Sequence, residues 1–556
     1  MINKNFNNYF ENLIKKYWNH NSMNNYGEET VKYSDVAGNI KYWHYIFKKL
    51  NIKKNDKIAI LGPNSINWSM MYVAITTYGA IVVPILKEFH VEDIHHILRH
   101  SESKLFFSSE KIYNKLELES VDDLNMVFSI EDLSLLEYKD EKYKNNFIKF
   151  DKKYKKENNV KIKKEDFALE NSVKNDDIGV LVYTSGTTGF SKGVLLPYKS
   201  LLANIFYARE HIELKEKDRV LSFLPLAHAY GCAFDFLFPF AIGVHITFLS
   251  SIPSPKILLK AFNEVKPQLV NLVPLILEKM YKKRIKPKME KGIVPYLMKL
   301  PVIKGKIEEK VKNQLSEAFG NEFINIVIGG APLDSEIEKF FKKIGFRFSV
   351  GYGMTECAPL ISYDKPETNK SASVGKVMDY LKIRIDSEDP KNIPGEIQVK
   401  GVNVMEGYYK NKKATEETFT DDGWLKTGDL GLIDENGYIF IKGRIKNLIL
   451  GPSGQNIYPK EIESKLNNLE FIEESLVYGV DNTVNALVYP DYDKLDEVNN
   501  ENLDPQDFLK KKMEENRKKM NEILPSYSRI KNIKLHPESF EKTPTKKIKR
   551  YLYKNY

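Results

Sequence analysis

At 556 residues the chain is too long for a single hydrophobic core, so two or more domains are expected. Its 42% hydrophobic and 29% charged residues are ordinary for a soluble globular protein. The formal net charge of +9 reads as a Lys-rich surface spread over the whole length, which excludes the concentrated basic arm of a nucleic-acid binder and leaves at most a mild attraction to anionic cofactors or membrane surfaces.

The N-terminal stretch Met1–Trp18 lacks the apolar core of a signal peptide. Lys57–Leu61 reads as a short buried strand, Asn67–Thr77 as a helix and Ala80–Ile85 as the next strand, a βαβ unit that predicts parallel sheet with helices on its faces. The Lys-, Asn-, Glu- and Asp-rich stretch Tyr138–Asp177 reads as a surface excursion leading into a strand at Ile178–Tyr183. Strands follow at Arg219–Phe223, Val244–Leu249 and Leu269–Val273. The most apolar run, Phe234–Leu249, contains Asp235, Pro239, Gly243 and His245 and is short for a membrane span, so it reads as buried core. Cys232 and Cys357 offer neither a metal spacing nor a disulfide framework, and a cytoplasmic, reducing setting is expected. Lys282–Lys310, basic with Pro and Gly, reads as a helical insertion or a loop.

After Gly443 the character changes, and about a hundred residues remain, the size of a small domain. Ser475–Val480 and Asn485–Tyr489 read as strands joined through Asp481-Asn482, and Pro505–Ile523 as a charged amphipathic helix ahead of a Lys-rich tail. The expected architecture is α/β: a large N-terminal domain of α/β sheets over 1–445 and a small, mobile α+β C-terminal lid over 446–556.

The segment richest in chemistry is Tyr183-Thr-Ser-Gly-Thr-Thr-Gly-Phe-Ser-Lys-Gly-Val194. An apolar strand runs straight into Thr184, Ser185, Gly186, Thr187, Thr188 and Gly189. Glycines let the backbone turn sharply beside a ligand, and exposed N–H groups and hydroxyls cradle phosphate oxygens, with Lys192 adding positive charge. The spacing is not that of a Walker P-loop, so phosphate binding is implied without that scaffold.

This loop closely resembles the signature loop of the adenylate-forming superfamily, which includes acyl-CoA synthetases. Further segments resemble that family's motifs in the expected order: Leu224-Pro-Leu-Ala-His-Ala-Tyr-Gly231, Gly329-Gly-Ala-Pro-Leu333, Gly351-Tyr-Gly-Met-Thr-Glu356, Trp424-Leu-Lys-Thr-Gly-Asp-Leu-Gly431, Gly443-Arg-Ile-Lys446 and Thr543-Pro-Thr-Lys-Lys-Ile-Lys549. The resemblance implies ATP-dependent activation of a carboxylic acid to an acyl-adenylate, then transfer to a thiol.

It also implies roles. Thr184 and Glu356 are the Mg²⁺ ligands, supplying the hard oxygens that this ion prefers. Thr355 binds the α-phosphate, within the segment that includes Gly353 and Met354. Tyr352 stacks on adenine between backbone walls at Gly330, Ala331 and Gly351. Asp429, helped by Arg444, takes the ribose hydroxyls. His228 positions the carboxylate near the thiol path. Lys446 matches the pivot between the two half-reactions, with Asn447 in place of an acidic neighbour. The loop Gly451–Pro459 lines the pantetheine path. Lys547 aligns best with the family's C-terminal lysine, with Lys546 and Lys549 as alternatives.

Within the family the closest resemblance is to bacterial long-chain fatty-acid–CoA ligases, carried by the His228 motif, the Ile449–Pro459 loop and the lysine tail. It implies a long-chain fatty acid, ATP and coenzyme A as substrates. The apolar run Phe234–Phe248 either lines an acyl tunnel or is ordinary core. Cys232 stands where some relatives carry an aromatic gate. Acyl carrier protein as acceptor, and a medium-chain or aromatic acid, stay open; no nucleic-acid partner is expected, and membrane contact is at most peripheral.

Overall fold

The computed structural model describes the chain except for residues 1–3, 159–161, 171–172, 185–190, 251–253, 291, 452–454, 481–482, 499–503, 544–546 and 554–556. The chain divides into two compact units, one of residues 1–382 with 399–425 and one of 383–398 with 426–556.

The first unit is built on two large sheets. In the eight-stranded one, the strands Ile178–Thr184, Ile81–Ile85, Lys57–Leu61, Ser103–Ser108 and Met126–Ser129 lie side by side in parallel. Lys192–Pro197 and then Gly407–Tyr408 extend it antiparallel at one edge, and Leu135–Tyr138 closes the other. The inner strands are buried on both faces, as near-continuous apolar runs of a parallel sheet demand. The seven-stranded sheet runs Ser349–Val350, Asn325–Ile328, Leu269–Leu272, Arg219–Ser222, His245–Phe248, Asn21–Asn25, Thr30–Lys32, parallel except at its last pair. A three-stranded sheet of Tyr352–Gly353, Leu360–Tyr363 and Lys376–Val377 completes the unit.

Helix Ile66–Tyr78 is apolar on every side and buried from Trp68 through Thr77, because it touches strands of both large sheets. The hydroxyl of Ser65 accepts from the Trp68 N–H at its start, and Gly79 ends it at φ +93°. The surface excursion after Tyr138 contains a helix, Glu141–Glu157, that the sequence pattern conceals. Only Phe147 on it is buried; it leans on the preceding core through Tyr154 against Tyr42 and Tyr45. Among the described residues of 282–310 most are helical, in Tyr281–Ile285, Lys286–Glu290, Val294–Leu297 and the start of Pro301–Ala318, with turns at 292–293 and 298–300. The run Phe234–Leu249 is core, as expected, with Phe236, Phe238, Phe240 and Phe248 fully buried.

The second unit holds most of a four-stranded sheet, ordered Leu381–Asp386, Gly395–Gly401, Leu425–Ile433, Ile439–Arg444. It also holds a three-stranded sheet in which Ile472–Val480 pairs antiparallel with Thr483–Pro490, and that strand pairs parallel with Ile530–Leu535. Helices Pro459–Leu466 and Pro505–Ile523 bury Ile462, Leu466, Leu509, Met513 and Met520 in its core. Asp504 caps the longer helix, accepting from the Gln506 and Asp507 N–H groups. Among the described residues no helix is long and apolar enough to cross a membrane.

Candidate active site

Sheet register brings the predicted phosphate-side residues together. Thr184 ends one strand, Lys192 begins the next, and the two pair directly, with the Thr184 hydroxyl 3.5 Å from the Lys192 carbonyl oxygen. The loop between them, which holds Ser185, Gly186, Thr187, Thr188 and Gly189, lies outside the described residues. On the other side of Lys192–Pro197, Tyr408 pairs with Val194. Its hydroxyl donates to Oε1 of Glu356 at 2.9 Å, while the Lys192 ammonium stands 4.8 Å from its ring centroid. Tyr408 therefore joins the lysine of the first motif to the glutamate of the fourth, through a hydrogen bond and a cation–π contact. The Glu356 carbonyl oxygen accepts from the Met405 N–H at 2.8 Å, which ties the Thr355–Cys357 turn to the segment entering Tyr408.

A hydroxyl and a carboxylate are the donor types that Mg²⁺ takes, and a second cation, Lys192, stands beside them. Thr184 and Glu356 thus fit the ion by the chemistry of their donors. Tyr408 was not among the residues expected from the sequence. It lies far from both partners along the chain, and only the pairing of Gly407–Tyr408 with Lys192–Pro197 reveals it.

The next group forms at the end of the seven-stranded sheet. Gly351 donates to the Ile328 carbonyl oxygen at 2.9 Å and Gly329 to that of Leu272 at 3.0 Å, so the segments 329–331 and 351–356 leave adjacent strands. Gly330 has φ +86°, in the left-handed region. A Cβ on Gly353 would sit 2.2 Å from the Pro359 carbonyl oxygen, so that glycine is required by close backbone approach. Tyr352 is buried, while Gly330 and Ala331 are exposed and Gly351, Met354, Thr355 and Glu356 are partly so.

The His228 motif is braced from three directions. Asn64 donates to the Leu224 carbonyl oxygen at 2.8 Å and accepts from the Leu226 N–H at 3.1 Å. Asp235, fully buried, accepts from the Leu224 N–H and, at 2.7 Å, from the Asn271 amide. Burial pushes the Asp235 carboxyl up to about 7. Tyr230 donates to the Val327 carbonyl oxygen at 2.9 Å and packs on Gly329, which couples this motif to the 329–331 segment. His228 caps the short helix Ala229–Gly231, its Nδ1 accepting from the Tyr230 N–H at 3.3 Å. The neutral ring accordingly carries its proton on Nε2, a donor suited to a carboxylate.

Beneath this motif lies an apolar cavity of about 20 Å³ lined by Tyr72, Val182, Leu196, Ala229, Cys232 and Leu237 among others. That volume admits roughly one water molecule, so an acyl chain entering here must displace lining side chains. Burial pushes the Cys232 thiol up to about 12, which keeps it protonated and unreactive.

In the second unit, Asp429 and Arg444 are register partners on neighbouring strands, and Arg444 Nε lies 2.6 Å from Asp429 Oδ1. Gly428 before it has φ +70° and donates to Glu396 at 3.0 Å, fixing the turn of the strand. Lys446 is exposed in the single turn Ile445–Asn447. Ile449–Leu450 pairs antiparallel with Asn456–Ile457, so the segment expected as the Gly451–Pro459 loop includes a short strand and the first residue of helix Pro459–Leu466; its residues 452–454 are outside the description.

Lys547 sits in a tight tail hairpin. Its N–H donates to the Thr543 hydroxyl at 3.2 Å, and its carbonyl oxygen accepts from the Thr543 N–H at 2.7 Å. The Lys547 side chain is exposed; Lys549 is ion-paired with Glu541, and Lys546 is outside the description. The tail is held by Arg550 paired with the buried Glu463, which also accepts from the Val477 N–H, and by Phe540 and Tyr553 packed on Leu476 and Leu487. Glu463 and Arg550 were not expected from the sequence, where nothing links two charged residues so far apart.

The chain as a whole is similar to known proteins. The profile of the family described as AMP-binding enzyme matches residues 11–409. A long-chain-fatty-acid–CoA ligase of Mycobacterium bovis, FadD15, is 29% identical over 455 residues, covering 77% of this chain and 72% of that protein. A chloroplastic long-chain-fatty-acid–[acyl-carrier-protein] ligase of Arabidopsis thaliana, AEE15, is 27% identical over 530 residues, covering 81% and 71%. Among solved structures, ATP-bound MatB from Rhodopseudomonas palustris aligns with a TM-score of 0.78 over 99% of this chain and 98% of that one; at 20% identity the likeness speaks for the fold.

Proposed function

Because the chain belongs to the family of AMP-binding enzymes, we propose that it activates a long-chain fatty acid with ATP and passes the acyl group to coenzyme A. The observation that carries this reading is the linkage of Thr184, Lys192 and Glu356 through Tyr408. A carboxylate attacking a triphosphate must overcome repulsion between anions while more charge develops on the leaving pyrophosphate. Lys192 offsets that charge, and Thr184 and Glu356 would hold Mg²⁺, which when bound neutralises phosphate oxygens.

In the first half-reaction a carboxylate oxygen attacks the α-phosphorus of ATP; the bond to the β-phosphate oxygen breaks, giving acyl-adenylate and pyrophosphate. Thr355 hydrogen-bonds the α-phosphate, Tyr352 stacks on adenine against Gly330, Ala331 and Gly351, and Asp429 with Arg444 takes the ribose. Lys547 bridges the carboxylate and the nucleotide. In the second half-reaction the thiol loses its proton, its sulfur attacks the acyl carbonyl carbon, and AMP leaves. His228, donating from Nε2, orients the carboxylate. Lys446 is the pivot on which residues 446–556 turn between the steps, excluding water from the adenylate.

Support for a fatty acid comes from the name borne by the M. bovis relative and from the apolar lining under His228. A second reading, acyl carrier protein as acceptor, is favoured by the Arabidopsis relative. Assaying AMP release with acids from acetate to stearate, each with coenzyme A or acyl carrier protein, tests both. A rate that rises with chain length and requires coenzyme A supports the first reading; preference for an aromatic acid, or for the carrier protein, replaces it.

A further inference from the structure

The three most exposed large hydrophobic side chains among the described residues, Val302, Tyr296 and Ile293, are 75%, 69% and 67% exposed and fall within ten positions of one another. Leu300 lies between them, also exposed. All belong to the helical insertion 282–310, which is anchored at its two ends. Tyr281 and Ile285 enter the core at the start, and Leu315 is the one buried residue of helix Pro301–Ala318 at the other.

Charge is concentrated on the same insertion. Residues 282–310 contain ten Lys or Arg and three Glu, a net of +7 against +9 for the whole chain. The even spread suggested by composition is therefore an average over unlike regions. Lys288, Lys299, Lys306 and Lys310 are exposed, and the Lys299 ammonium stands 5.7 Å from the Tyr296 ring centroid.

We propose that the described residues 288–290 and 292–310 form a docking surface for an anionic phospholipid bilayer, with Ile293, Tyr296, Leu300 and Val302 entering the headgroup boundary and Lys288, Lys299, Lys306 and Lys310 meeting lipid phosphates. Exposed aliphatic side chains lose by facing water and gain by entering the interface, an amphipathic tyrosine suits its depth, and lysines beside them are attracted to a negative surface. Charge complementarity alone would also suit an acidic protein; the apolar tip selects the bilayer. The inference deepens the fatty-acid reading, since such acids partition into membranes. It is tested without turnover, so the two readings fail separately.

The experiment is co-sedimentation of the full chain with phosphatidylcholine vesicles and with vesicles containing one-third phosphatidylglycerol, at low and physiological salt. The wild type should sediment with the anionic vesicles and weaken as salt rises. Lys299→Glu, Lys306→Glu and Lys310→Glu together should weaken binding on the order of a hundredfold, about fivefold or more for each charge. Ile293→Ser, Tyr296→Ser and Val302→Ser together should weaken it at least about tenfold at either salt. Unchanged thermal melting certifies that each variant folds, and the wild-type arm decides the matter if one does not. Wild type left in the supernatant with anionic vesicles at low salt overturns the proposal. So does a serine variant that binds the anionic vesicles as tightly as wild type, an outcome that would leave the exposed apolar side chains no part in the contact.

Discussion

The phosphate-side residues of the first unit and the tail lysine of the second are placed by different means. In the first, Thr184, Lys192 and Tyr408 are set by strand register, each fixed by backbone pairing, and Glu356 is held by a hydroxyl delivered from the third strand. In the second, Lys547 is an exposed residue of a tail segment tied down by two ion pairs, Glu463 with Arg550 and Glu474 with Lys542, and by a small aromatic cluster. The contrast suggests that the phosphate-side charges are organised before substrate arrives, while the tail lysine is presented by a local strap.

The comparison can be broken first at Glu356. Glu356→Ala should lower acid-dependent ATP–pyrophosphate exchange on the order of a thousandfold with an unchanged melting temperature; near-wild-type exchange would remove this residue from the site. Lys547→Ala should lower adenylation on the order of a hundredfold while a supplied acyl-adenylate is still converted to thioester, and Lys549→Ala should change neither step by much. Equal loss of both steps in Lys547→Ala would refute the separation between the units.

Asp235 sharpens the contrast from the side of the scaffold. Its folded-state carboxyl titrates near 7, above its value in the unfolded chain, so its contribution is full at low pH and is lost as pH rises towards 7. Between pH 5 and 7.5, wild type should lose on the order of 2 kcal/mol of urea stability relative to Asp235→Asn; parallel pH profiles would show that burial does not hold the proton. Tyr408→Phe should have a milder effect than Glu356→Ala, about a tenfold loss in kcat/KM for ATP, because the carboxylate remains but loses its positioning donor. A loss as large as that of Glu356→Ala would mean that Tyr408 itself touches the reacting groups.

Local pattern made much of this legible. The strand Lys57–Leu61 and the helix Pro505–Ile523 have the same bounds in sequence and structure, because a short apolar run and a capped amphipathic period are local signals. The motif residues Thr184, Glu356 and His228 could be named because the short segments that hold them resemble the motifs of a known family. What sequence conceals is pairing at a distance. Tyr408 reaches Glu356 across 52 positions and Arg550 reaches Glu463 across 87, and nothing local to Tyr408, Glu463 or Arg550 announces its partner. Helix Glu141–Glu157 was hidden for the opposite reason: with one buried residue it has almost no apolar stripe to detect.

The most direct test of the central claim is the nucleotide product formed when purified protein is given ATP, Mg²⁺, palmitate and coenzyme A. The account predicts AMP and pyrophosphate in step with thioester, with acyl-adenylate accumulating when coenzyme A is withheld. Formation of ADP, or no nucleotide consumption with any acid from acetate to stearate, would contradict it.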